Sequence, residues 1–78
     1  MTPTATPRPA LRSSVLGKRH AEVKALLGSP ARTGEESSGW TWWSYYRLTY
    51  DPAAGVVDDM TTLEFDEKGV VRKVLFNR

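Results

Sequence analysis

"GWTWWSYYRLTY", residues 39–50, holds six of the eight aromatic residues in this 78-residue chain. Read with a period of two, it sorts into two faces. Trp40, Trp42, Ser44, Tyr46, Leu48 and Tyr50 fall on one, and Thr41, Trp43, Tyr45, Arg47 and Thr49 on the other. The density of aromatic and β-branched residues predicts a strand over residues 40–50. Both faces carry rings, so a hydrophobic core and a binding surface both have a claim on the stretch.

Working outward, residues 57–65 and 70–76 read as two further strands. "DPAAG" (residues 51–55) and "DEKG" (66–69) separate the three, with Pro and Gly placed as turns require. Two short connections in a row predict an antiparallel three-stranded meander. On the amino-terminal side, "SPARTGEESSG" (29–39) reads as a polar loop. Before it, "KRHAEVKALLG" (18–28) predicts a helix whose Val23, Leu26 and Leu27 form an apolar stripe. Gly28 is a ready cap, and Pro30 blocks continuation. At its start, neither Arg19 nor His20 is a favoured cap. A shorter helix is expected from about Pro9, with Leu11, Val15 and Leu16 sharing a face and Gly17 ending it. "MTPTATPRP", residues 1–9, is expected to be a disordered tail, because its three prolines fix φ and remove backbone donors. Helices grouped before strands predict an α+β fold: two short helices packed on one face of the meander, in a single domain over residues 10–78.

A chain this short buries only about 60% of its unfolded surface. With no cysteine, it has no disulfide or thiolate metal site to brace it, and the redox compartment is left open. Bulky side chains must supply the core. The two short helices carry too little apolar area to cover both faces of the aromatic strand, so some rings are expected to remain open, as binding patches are. By simple hydrophobicity the Trp40–Trp42 face is the core.

The net charge is +2, unevenly spread. Residues 1–32 hold six basic groups against Glu22 alone, whereas residues 33–78 hold five basic and eight acidic groups. The basic third reads as a solvated helix face, since no run of adjacent bases exceeds two. No apolar run approaches the ~18–20 residues of a membrane span, and no secretory leader is visible.

"LGKRHAEVKALLGSPART", an aromatic strand and "LEFDEKGVV" together resemble the SmpA/OmlA family, the BamE-type outer-membrane assembly lipoproteins. The residues that carry the likeness are Gly17, Val23, Leu26-Leu27-Gly28-Ser29-Pro30, Trp43-x-Tyr45 and Phe65 to Val71. They extend over residues 11–76 and are packing and turn residues. The resemblance implies the helix-helix-strand-strand-strand unit, shared with β-lactamase-inhibitor-protein domains, and a non-enzymatic module that binds another protein, such as an envelope assembly component. It also implies that Trp43 and Tyr45 point inward, leaving Trp40, Trp42, Tyr46 and Tyr50, with Arg47, as the partner-binding residues. The family carries Ser or Thr where this chain has Arg19, and follows a leader and a lipid-bearing cysteine. The family's compartment is the cell envelope; with Met1 as the native start and neither feature present, the expectation is cytoplasmic.

No catalytic constellation stands out. His20, the single histidine, lies beside Lys18 and Arg19 and reads as a surface helix residue. No serine sits in an elbow-like Gly-x-Ser-x-Gly. Adjacent Asp58 and Asp59 would point to opposite faces of a strand, and their spacing from Asp51 fits no calcium loop. The glycines are isolated, so nothing cradles phosphate. The chain is therefore expected to be no enzyme, with no metal, cofactor or small-molecule substrate. Two alternatives to a protein-binding module are kept. One is an enzyme inhibitor of the β-lactamase-inhibitor type. The other is a single-stranded nucleic-acid binder that stacks bases on the sheet, with Arg47, Arg72 and Lys73 nearby; the acidic sheet half opposes it.

Overall fold

The computed structural model describes residues 5–78. Among them are two helices, α1 (Arg8–Val15) and α2 (His20–Leu27). There are seven strands: β1 (Thr6–Pro7), β2 (Arg32–Glu35), β3 (Thr41–Tyr46), β4 (Thr49–Asp51), β5 (Val56–Val57), β6 (Met60–Phe65) and β7 (Val71–Asn77). The strands form two sheets, one ordered β2-β3-β6-β7 and one ordered β1-β4-β5. The fold is mixed α+β, and the expected three-stranded meander is corrected on three counts.

First, the aromatic strand is not continuous. Tyr46 pairs with Met60, and Tyr50 pairs with Val57. Three residues, Arg47 to Thr49, therefore stand opposite two, Asp58 and Asp59. The extra residue is a β-bulge, which bends the strand and disrupts pairing locally. Arg47 takes it up with a left-handed φ of 52°. The hairpin is thus folded across its middle, into β3 and β6 in one sheet and β4 and β5 in the other.

Second, the supposed polar loop contains β2, which pairs antiparallel with β3, Gly34 opposite Trp42 and Arg32 opposite Ser44. Its sequence, RTGE, has no apolar alternation. Pairing is imposed by the free edge of β3, whose unpaired backbone groups need partners.

Third, part of the expected disordered tail is placed. Residues 1–4 lie outside the described residues, but Thr6–Pro7 pairs in parallel with β4, the Thr6 N–H donating to the Leu48 carbonyl at 2.9 Å. Pro9 sits in the first turn of α1, where a missing N–H costs nothing.

Leu11 and Val15 of α1 and Val23 of α2 are buried with Tyr45, Leu63, Phe65 and Val71 in one cluster, bordered by Trp43, Leu27, Leu48, Val74 and Phe76. The helices therefore cover the Trp43–Tyr45 face, and the expectation from simple hydrophobicity that Trp40 and Trp42 form the core is overturned. The α2 stripe also differs from the expected one. Leu26 is 56% exposed. The inward positions are His20, Val23 and Leu27, a spacing of i, i+3, i+7 that admits the histidine to the stripe. The linker after Gly17 runs along the start of β7: Gly17 donates to the Val71 carbonyl at 3.1 Å, and Val71 donates to that of Lys18 at 2.9 Å.

Candidate functional site

With the helices on one face of the four-stranded sheet, no element among the described residues covers the other. The register places Arg32, Ser44, Thr62 and Leu75 in one row across it, and Gly34, Trp42, Glu64 and Lys73 in the next. Tyr46, Met60 and Asn77 form a third row. Small residues floor the middle and large ones stand around it. The result is a trough of about 420 Å³ lined by Arg32, Glu36, Trp42, Ser44, Met60, Thr62 and Glu64.

Each part of the floor has a local cause. Ser44, although on the open face, is only 2% exposed, and its hydroxyl shares a 2.8 Å hydrogen bond with that of Thr62. The Trp42 indole lies over Gly34 so closely that a Cβ there would come within 2.4 Å of the ring. Glycine is what allows the ring to lie down on β2. Elsewhere on this face, Tyr46 is 53% and Leu75 49% exposed.

The five residues expected to bind a partner do not form one set. Trp42 and Tyr46 share the open face. Trp40 precedes β3, half-buried, its carbonyl accepting from the Glu36 N–H at 2.8 Å. Tyr50 lies in the other sheet, between Pro7 and Val57, because the bulge separates it from Tyr46. Arg47 is exposed at the corner rather than within a strand. Met60, Thr62, Glu64 and Leu75 complete the face and were missed. Their signal lies in β6, where Thr61, Leu63 and Phe65 alternate with Met60, Thr62 and Glu64; once the first set is inward, the second must face out.

The titratable groups elsewhere serve the fold. His20 is not the surface residue expected of it. Its ring stacks on Phe65 with centroids 3.8 Å apart, and Nε2 lies 3.0 Å from the Thr41 hydroxyl. Burial holds its pKa below the ordinary value. Asp58 is fully buried, accepting from Arg8 Nε and, on the same oxygen, from the Thr49 hydroxyl at 2.7 Å. The Arg8 hydrogen bond keeps its carboxyl below the usual range. Asp59 is exposed. Asp51 takes Arg78 and lies 3.7 Å from Arg8. Asp66 holds the β6–β7 turn, accepting from the Lys68 and Val70 N–H groups and from Arg72 Nε at 2.7 Å, which lowers its pKa. The Tyr45 hydroxyl donates to the Gly28 carbonyl at the end of α2, and burial raises its pKa.

No helix among the described residues is long and apolar enough to cross a membrane. No protein-family model, curated protein or solved structure matches this chain.

Proposed function

We propose that this chain is a non-enzymatic module that binds a partner protein through the open face of its four-stranded sheet. One observation carries the reading. Trp42 and Met60 line a 420 Å³ trough, and the exposed Tyr46 and Leu75 stand on the same sheet face, which no element among the described residues covers. Trp and Tyr are among the residue types enriched at interface hot spots. The commitment of His20, Asp58 and Asp66 to packing and ion pairs supports binding over catalysis. The likeness of Leu26 to Pro30 and Phe65 to Val71 to SmpA/OmlA motifs points the same way, to an envelope assembly component as partner. Glu36 and Glu64 beside Trp42 weigh against nucleic acid, since they would repel phosphate.

Panning a random peptide library against the chain tests this. Enriched peptides should bind with amide shifts confined to the open face, and Tyr46→Ala with Leu75→Ala should weaken binding at least about tenfold while circular dichroism is unchanged. Enriched peptides that bind both forms alike would refute the reading.

A further inference from the structure

The trough is not neutral. Glu36 and Glu64 both line it, and both adjoin Trp42: Glu64 is its cross-strand partner on β6, and Glu36 follows the strand that carries Gly34. Neither carboxylate takes part in an ion pair among the described residues. Lys73, opposite Glu64 on β7, forms none with it. The Trp42 ring is seated on Gly34 by one side. No arginine of the chain stacks on it: the single cation–π contact among the described residues is Arg8 over Phe76. Arg32, the one cation lining the trough among the described residues, stands a row away, opposite Ser44.

An indole between two free carboxylates is the arrangement that attracts a cation, through the ring quadrupole and through charge. We propose that the trough takes a lysine or arginine side chain from an extended segment of the partner, held against Trp42 between Glu36 and Glu64. This rests on the reading of the open face as a protein-binding surface. A second copy of the chain is the poorer occupant. Four strands about 4.8 Å apart and four to seven residues long present roughly 400 Å², half of the ~800 Å² each partner contributes to a stable interface. An extended segment fits that area, and a single row of it reaches from Arg32 to Leu75. Its basic side chain also complements the carboxylates, whereas a second copy would bring Glu36 and Glu64 together with Arg32 and Lys73, with no net positive charge to offer them.

Titration of the isotopically labelled chain with three capped peptides, Thr alternating with Lys, with Gln or with Glu, tests the proposal. The Lys peptide should shift the Trp42 indole N–H and the Thr62 and Glu64 amides. The Gln and Glu peptides should bind about tenfold more weakly, and Glu36→Gln with Glu64→Gln should weaken the Lys peptide by about the same factor, the scale of one cation–π contact with partly exposed ion pairs. Equal binding of the Lys and Gln peptides in the trough would overturn the basic side chain and leave the protein-binding face standing. Lys-peptide shifts elsewhere, or none at all, would also overturn it; the library peptides then decide the broader reading by themselves. Trough shifts that grow with the chain's own concentration, before any peptide is added, would make a second copy the occupant and end the proposal.

Discussion

His20 shows how one residue can be misread from its neighbours. Flanked by Lys18 and Arg19 at a helix start, it looks solvated, yet its ring lies on Phe65, 5.1 Å from the centroid of Trp43. Gly69 leaves room for it, since a Cβ there would come within 3.2 Å of Nδ1. Partial burial of the imidazole disfavours its charged form, and its pKa is accordingly lowered. The sign of the pH dependence follows. The unfolded chain binds the proton first, so stability is complete above the ordinary value near 6.5 and declines as pH falls through it towards the folded value. Urea midpoints measured between about pH 7.5 and 5 should therefore fall with pH, and the slope should vanish in His20→Gln. A slope unchanged by that substitution would mean that another group titrates.

At the scale of elements, the bulge between β3 and β4 does the most to depart from the simple meander. A non-glycine residue at positive φ costs about 1 kcal/mol, more for β-branched side chains. Arg47 carries that cost at an exposed corner, its N–H donating to the Asp59 carbonyl at 3.2 Å. Arg47→Gly should relieve it and leave stability within about 1 kcal/mol of the parent, on the stabilising side, whereas Arg47→Val should lose roughly 1–2 kcal/mol. Denaturant unfolding of both variants measures this; equal effects would show that the left-handed backbone is not what matters there. The turns, by contrast, were legible from local chemistry. Gly17, Gly28, Gly55 and Gly69 all adopt positive φ, as caps and turns at those positions require. The edge strand β2 was not legible, because RTGE pairs only where β3 offers it an edge.

Across the whole molecule, the two sheets and α1 are held together by one buried polar cluster. Arg8, at the start of α1, donates through Nε to Asp58 at 2.9 Å and through a second guanidinium nitrogen to its other oxygen. Thr49 of β4 donates to the same carboxylate, and the Thr61 hydroxyl of β6 lies 2.6 Å from that of Thr49. Arg8 also lies over Phe76 of β7. Removing the guanidinium strands a carboxylate without solvent, which costs far more than the pair contributes. Arg8→Met should lower the thermal midpoint by several degrees near neutral pH, and Asp58→Asn added to it should restore part of the loss. Because Arg8 depresses the Asp58 pKa, this stabilisation is present above the ordinary carboxylate range and lost as pH falls through the folded value. The gap between Arg8→Met and the parent should therefore narrow in acid. A gap that stays constant with pH would exclude the ion pair as its source.

The sequence by itself determined the helices, the turns and the α+β class, because each follows from residues close together in the chain. Which face of β3 became core was decided only by the tertiary structure. Trp42 and Trp43 are chemically alike, and alternation places them on opposite sides without saying which side the helices take. That choice came from distant partners: Leu63, Phe65 and Val71 on one face with Val23 and Leu11, and Ser44 and Thr62 on the other. Asp58 and its arginine, 50 residues apart, likewise met only when the chain closed, and their meeting goes with the bend that parts Tyr50 from Tyr46. Contacts over such separations depend on burial and register together, and neither is written in the order of residues along a single strand.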